Sequence, residues 1–186
     1  MVLALHRTGV VMKVLMNKNE MARTLERLAY QILEKYENLD DVVLVGIVRR
    51  GVYLSNRVAD ILFEKTGRKV IQGTLDISLY RDDWTSLAAI PELTASDIPV
   101  SIEGKRVILI DDVLYSGRTV RAALEALQDY GRSCSIDLLV LVDRGHRELP
   151  IYAAYVGKQV NTAKSEQIDV LLEELDGIDE VRLLPQ

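Results

Sequence analysis

Residues 107–127 read VILIDDVLYSGRTVRAALEAL, and their pattern decides the fold. Val107 to Ile110 is an unbroken apolar, mostly β-branched run, which suits a strand buried on both faces of a parallel sheet. Asp111 and Asp112 end it with two adjacent carboxylates. A short loop follows, Tyr115-Ser116-Gly117-Arg118-Thr119. Val120, Ala123, Leu124 and Leu127 then recur at helical spacing, so a helix starts near Thr119. Loop amides at a helix start attract a phosphate, and Ser116 and Thr119 add hydroxyl donors. The two carboxylates cannot usefully touch that phosphate. They can hold a diol or a magnesium ion beside it. As mere strand-capping groups, two adjacent acids would cost solvation for nothing.

The flanking sequence repeats the strand–helix alternation. Asn17 to Glu20 reads N-x-x-E, a helix start of the capping-box kind. Met21, Leu25, Leu28, Ala29, Ile32 and Leu33 make one apolar stripe, which predicts an amphipathic helix over 20–37. Val42–Val48 predicts a core strand, Arg49-Arg50-Gly51 a loop, and Val52–Phe63 a helix. An extended segment runs from Val70 to Leu79. Residues 81–99 are polar, carry Pro91 and Pro99, and lack periodicity; the expectation is a mobile loop that serves as a lid. Ile136–Val142 predicts another buried strand, and Tyr155-Val156-Gly157 a further short strand or loop. Asp169–Leu175 and Glu180–Leu184 predict a terminal hairpin or small sheet, with turn signals at Asp176-Gly177. Strands alternating with helices imply right-handed β-α-β units, and ligands on such sheets bind at the carboxyl ends of strands. Arg49–Gly51, Asp111–Thr119 and Asp143–Arg147 occupy those ends.

Composition bounds the rest. A chain of 186 residues that is 48% hydrophobic and 27% charged is expected to form one globular domain, 1–186. No apolar run reaches the ~18 residues of a membrane span, so no membrane role is expected. Met12 and Met16 offer alternative starts, which would make residues 1–11 a poorly ordered extension. A single cysteine, Cys134, excludes an intramolecular disulfide and fits a reducing cytoplasm. The net charge of −5 is concentrated after Ser165, where seven acids accompany one base, Arg182; the body is near neutral and a local basic face is open to it.

Four motifs carry a family resemblance. LYRDD (79–83), VILIDDVLYSGRTVRA (107–122), LVDRGHRELPI (141–151) and YVGK (155–158) stand in this order. The second resembles the phosphoribosyl-diphosphate (PRPP) signature of type I phosphoribosyltransferases. All four together resemble the pyrimidine operon attenuation regulators, the PyrR family, which are bifunctional proteins with uracil phosphoribosyltransferase activity. The likeness runs from about Val43 to Glu166.

The resemblance implies an α/β fold with a central, mostly parallel sheet flanked by helices, a mobile loop and a small hood. It implies the reaction uracil + PRPP → UMP + diphosphate with Mg2+, response to UMP or UTP, a homodimer or higher homo-oligomer, and in many relatives binding of the pyrimidine operon leader RNA. Carried onto this chain, PRPP falls to Arg49, Arg50, Gly51, Asp111, Asp112, Val113, Leu114, Tyr115, Ser116, Gly117, Arg118 and Thr119. Asp111 and Asp112 take the ribose diol and the metal, Arg50 with its loop amides takes the diphosphate, and Arg81 joins the acids as a catalytic residue that neutralises departing diphosphate. The base falls to Asp143, Arg144, Tyr155 and Val156; for Tyr155 a place in the core is the equal alternative. Leader RNA falls to Arg27, Lys35, Arg144, Arg147, Lys158 and Lys164.

The chain also departs from its relatives. Arg49 stands where they have a small polar residue. YSGRT replaces YTGRT and keeps the hydroxyl. Tyr152-Ala153-Ala154 replaces R-A-D, Asn161-Thr162-Ala163 replaces P-T-S, and Glu26 and Tyr30 stand where RNA-binding relatives are neutral or basic. A carboxylate facing RNA opposes phosphate contact. Two alternatives therefore stand beside the enzyme: an RNA-binding regulator with little turnover, and a transferase for another nucleobase.

Overall fold

The computed structural model describes residues 12–82 and 95–185. The expected extension over 1–11, and residues 83–94 of the expected lid, lie outside them. Five strands form a parallel sheet in the order β3-β2-β4-β5-β6, with β2 Val42–Ile47, β3 Ile71–Leu75, β4 Arg106–Leu114, β5 Ser135–Asp143 and β6 Tyr155–Gln159. Alternate residues of these strands feed two cores. On one face Leu44, Ile108, Ile110 and Leu139 meet the apolar stripes of α1 (Lys18–Lys35) and α2 (Arg50–Thr66). On the other, Val43, Val45, Leu109 and Val140 meet Val120, Ala123 and Leu127 of α3 (Arg118–Ala126) and the 3-10 turn after it. Covering both faces explains why the strands read as continuous apolar runs.

Local chemistry sets the boundaries. Asn17 caps α1 by accepting from the Glu20 amide at 3.0 Å, and the Glu20 carboxylate accepts from the Asn17 amide at 2.9 Å, so the helix starts at Lys18. β4 outlasts its apolar run: Val113 and Leu114 still pair with Val142 and Asp143 of β5. The acidic pair therefore lies inside the carboxyl end of the strand rather than after it. A polar side chain does not stop a ladder while its neighbour continues. α2 begins two residues earlier than predicted because its first turn packs on backbone. A Cβ on Gly51 would sit 2.3 Å from the Ile110 carbonyl oxygen, and one on Gly46 would sit 2.5 Å from the Val52 Cα. These two glycines let α2 start directly against β4, one residue from Asp111.

A second, antiparallel sheet has the order β1-β8-β7, with β1 Lys13–Asn17, β7 Glu166–Leu171 and β8 Glu180–Pro185. β7 and β8 pair as the predicted hairpin or small sheet, but β7 ends at Leu171, and a short helix, α4 (Glu173–Asp176), stands where the extended run to Leu175 is expected; Gly177 closes it at φ +71°. The acids of this hood are paired with the body. Arg57 of α2 donates to Glu174 at 2.6 and 2.9 Å and to Asp179 at 2.6 Å, and Lys18 pairs with Glu173. The bond from Arg57 holds the Glu174 carboxyl below its usual value. At Asp179 burial opposes the charge, but Arg57 and the Glu173 amide outweigh it and hold that carboxyl low as well. Groups lowered by folding contribute stability above the ordinary carboxylate range and lose it as pH falls through their folded values. Arg57→Leu, which leaves Asp179 buried without its partner, is expected to destabilise the protein by about 3 kcal/mol at neutral pH. The deficit should shrink on acidification, as thermal melts of both proteins from pH 7 to pH 3 would show.

Candidate active site

The carboxyl ends of β2, β3 and β4 open onto one cleft of about 410 Å³. It is lined by Ile47, Val48 and Arg49 after β2, by Asp76, Ile77 and Ser78 after β3, and by Arg81, Asp111, Asp112, Val113 and Thr119. A second cleft of about 280 Å³ shares Arg81 and Thr119 and adds Asp82, Tyr115, Ser116 and Arg118. The predicted phosphate loop and acidic pair are thus neighbours on one surface, as the strand-end rule requires.

In the phosphate loop Gly117 takes φ +93° and leads into α3, whose start has no side-chain cap. Beyond the Arg118 amide, its first amides remain available to an anion, with the helix dipole behind them. Ser116 Oγ accepts from the Arg118 amide at 3.3 Å, and Thr119 faces both clefts. The Arg118 side chain points elsewhere and bridges Glu148 at 2.7 Å and Asp82 at 2.9 Å. Leu114 is buried, and Tyr115 lies under the Arg144 guanidinium, 4.2 Å from the ring centroid.

The acids sit where charge is costly. Asp111 is buried, and its carboxylate accepts only from the Asp112 amide at 3.0 Å among the bonds found; Asp112 accepts from the Val113 amide at 2.8 Å. Burial, reinforced by Asp112, pushes the Asp111 carboxyl well up. Burial also raises Asp112, partly offset by the Val113 amide and the charge of Arg50. Such a pair gains from hydroxyl donors or a cation brought by a ligand. Among the described residues no group of three or more His, Cys, Asp or Glu could hold a metal alone. A cation here would need ligand oxygens to complete its shell, which is how magnesium is commonly held beside phosphates.

The two arginines after β2 separate. Arg49 lines the cleft and an adjoining apolar one of about 350 Å³ bounded by Val52, Tyr53 and Leu175. Arg50 turns to the hood and donates to Asp176 at 3.3 and 3.4 Å. Asp76, Ile77 and Ser78 are cleft residues missing from the sequence-derived set. The Asp76 carboxylate accepts from the Ser78 amide at 2.8 Å and hydroxyl at 2.6 Å. Their signal was the end of β3 at Leu75, hidden because the apolar pattern continues to Leu79.

The base assignments change most. Tyr155 is a core residue: it pairs with Leu139 deep in β5, while the cleft end of β5, Asp143, pairs with Gln159. Its hydroxyl donates to Asp137 at 3.4 Å, and burial, with the Asp137 charge, pushes it above its usual value. Val156, the next residue, turns to the opposite face of the sheet and packs against the other core. Neither lines the cleft. Asp143 and Arg144 lie at the cleft end but are spent on the loops there. Asp143 accepts from the Gly145 amide at 2.9 Å, and Arg144 donates to Thr162 and to the Ala163 carbonyl, each at 3.2 Å.

Nor do the six proposed RNA contacts form one basic face. Arg144 is 7% exposed, and the Arg147 guanidinium is taken up by internal oxygens. Arg27 and Lys158 lie along α1 and β6, and Lys35 pairs with Asp137 at 2.6 Å. Lys164 is exposed in the loop between β6 and β7.

The Phosphoribosyl transferase domain family matches residues 13–174. The chain is 51% identical over 172 residues to the bifunctional protein PyrR of Elusimicrobium minutum, covering 92% of this chain and 96% of that one. It is 54% identical over 163 residues to that of Enterococcus faecalis, covering 88% and 91%. Among solved structures, a hypoxanthine phosphoribosyltransferase from Staphylococcus aureus aligns with TM-score 0.68 and 21% identity over 97% of this chain and 96% of that one. A Trypanosoma cruzi hypoxanthine phosphoribosyltransferase aligns with TM-score 0.73 and 20% identity, over 92% and 94%. The latter two share the fold with this chain; identity near one half over nine-tenths of the length places it more narrowly, and the chain belongs to the phosphoribosyl transferase family and, within it, to the bifunctional PyrR proteins.

Proposed function

We propose that this phosphoribosyltransferase transfers the 5-phosphoribosyl group of PRPP to uracil, giving UMP and diphosphate, and that the nucleotide site also serves regulation of pyrimidine genes. The observation that carries the enzymatic half is the shared cleft, in which an uncapped helix start, an acid pair with Asp111 buried, and Arg49 stand at adjoining strand ends. These match the three parts of PRPP: the 5′-phosphate, the ribose diol and the diphosphate.

Displacement at the ribose C1 builds positive charge on the sugar and negative charge on diphosphate. Asp111 and Asp112 orient the diol and place negative charge near the sugar. Arg49, with Arg81 at the mouth, faces the departing oxygens. Magnesium, when bound by PRPP oxygens together with Asp111 and Asp112, would supply further neutralisation of the diphosphate. No covalent nucleophile is required. The test is product formation: protein, uracil, PRPP and magnesium should yield UMP and diphosphate in equal amounts, and no product at any protein concentration would sink the proposal.

One observation favours the regulatory half. A groove of about 360 Å³ between α1 and β6 is lined by Arg23, Arg27 and Lys158 with Met16, Glu20, Thr24 and Gly157. Arg27 already donates to the Val156 and Gly157 carbonyl oxygens, at 3.2 and 2.5 Å, so it holds the rim. Arg23 is exposed. Glu26 is tied to Lys65 at 2.7 Å rather than left bare. If leader RNA binds here, Arg23→Ala and Lys158→Ala should each weaken it by about 1 kcal/mol and flatten the salt dependence, while Glu26→Thr, on the α2 side of the helix, should change it little. Titration of a pyrimidine-operon leader against a scrambled RNA, with and without UMP, decides. Equal affinity for both RNAs would leave the protein an enzyme only.

A further inference from the structure

We propose that Arg147 is a positioning residue that builds the phosphate loop before any ligand arrives, by fastening residues 114–117 to the loop that follows β5. All three guanidinium nitrogens of Arg147 are engaged. Nη2 donates to the Asp143 carboxylate at 2.5 Å. Nη1 lies 2.8 Å from the Tyr115 carbonyl oxygen, 3.1 Å from that of Gly145 and 3.5 Å from that of Leu114. Nε donates to the Ile151 carbonyl at 3.0 Å. The side chain is only 16% exposed. One planar fork therefore joins the end of β4 to two points of the loop after β5, a task that needs several donors in fixed directions.

Peptide geometry turns those carbonyl contacts into a functional device. A trans peptide is planar, so a carbonyl and the amide that follows it point in opposite directions. Arg147 pins the Tyr115 oxygen, and the Arg144 amide of the same loop holds the Leu114 oxygen at 3.1 Å, which aims the Ser116 and Tyr115 amides the other way. The next carbonyl is held from the same side: Ser116 O accepts from the Glu148 and Leu149 amides at 3.0 and 3.1 Å, which aims the Gly117 amide likewise. Gly117 fits because its φ of +93° is one that L side chains rarely adopt; the Ile151 and Leu149 side chains lie at ordinary contact distance from where its Cβ would be. Successive amides turned to one side make an anion-binding concavity, here continuous with the start of α3. The loop after β5 thus serves as the template of the phosphate site, and LVDRGHRELPI acquires a role the nucleobase and RNA assignments did not give it.

That the anion is the 5′-phosphate rests on the proposed function, so the test has one arm that does not. Amide hydrogen exchange is measured across residues 115–119 in ligand-free wild type and Arg147→Lys, which keeps a cation near Asp143 but loses the fork. Exchange in this segment should rise tenfold or more in the variant while β2 and β5 stay protected. Unchanged exchange in a folded variant overturns the inference. Should Arg147→Lys not fold, Asp143→Asn, which frees the guanidinium from its anchor, is put through the same measurement under the same criterion. In the second arm, calorimetry with UMP and with magnesium diphosphate should show UMP binding weakened at least tenfold and diphosphate binding within twofold. Equal weakening of both would mean general loosening and would also overturn the inference. A wild type that binds neither ligand refutes the proposed function, and the exchange arm still decides the role of Arg147.

Discussion

Replacing either acid, Asp111→Asn or Asp112→Asn, is expected to lower kcat/KM for PRPP at least tenfold while leaving the fold intact or firmer. The loss follows from function: an amide cannot place negative charge beside the developing sugar cation or share a magnesium ion. The firmer fold follows from burial. Both carboxyls are raised by folding, chiefly through desolvation. A carboxyl raised in the folded state binds its proton more tightly than in the unfolded chain. Stability attributable to it is therefore greatest at acid pH and falls as pH rises from the ordinary carboxylate value through the folded one. At neutral pH in magnesium-free buffer the variants should melt above the wild type, by a margin that narrows toward pH 4. Wild-type kinetics in both variants would remove the acids from the site. A variant that melts well below wild type would show the carboxylates to be structural.

Arg49→Ala is expected to raise the KM for PRPP about tenfold without changing the melting temperature, since one charge-assisted contact to diphosphate contributes about 1.5–3 kcal/mol and Arg49 is exposed at the cleft. Arg50→Ala should do the reverse. Its guanidinium holds Asp176 of the hood, and Asp176 in turn accepts from the Leu172 amide at 2.9 Å. Loss of that tie should lower the melting temperature with a smaller effect on KM. Steady-state kinetics and melts of the two variants separate the roles; a larger KM effect at Arg50 would return the diphosphate to it.

The parallel sheet was legible in the sequence because its strands are buried on both faces and read as apolar runs broken by polar strand ends. The phosphate loop and acid pair were legible because function demands residue types that a strand end would not otherwise carry. Other features depend on partners far along the chain. β1 gives no strand signal of its own and is defined only by β8 lying beside it. The sequence reading assigns the diphosphate to Arg50; the fold turns that side chain to Asp176 of the hood and leaves Arg49 lining the cleft. Tyr155 is aromatic and follows the last core strand, which suits a base-stacking ring; the register of β6 against β5 puts it in the core instead. Arg147 reads as a surface cation in a basic loop, yet its donors meet carbonyls supplied by β4. Charge in a sequence counts cations without saying which are already engaged.

The base accepted is expected to be uracil, although the protein shares its fold with hypoxanthine enzymes. The most direct test is a set of kcat/KM values with PRPP and magnesium for uracil, cytosine, hypoxanthine, guanine and adenine, measured side by side on one preparation. Uracil should exceed every other base by at least a hundredfold. Equal or greater turnover of hypoxanthine or guanine would contradict the claim.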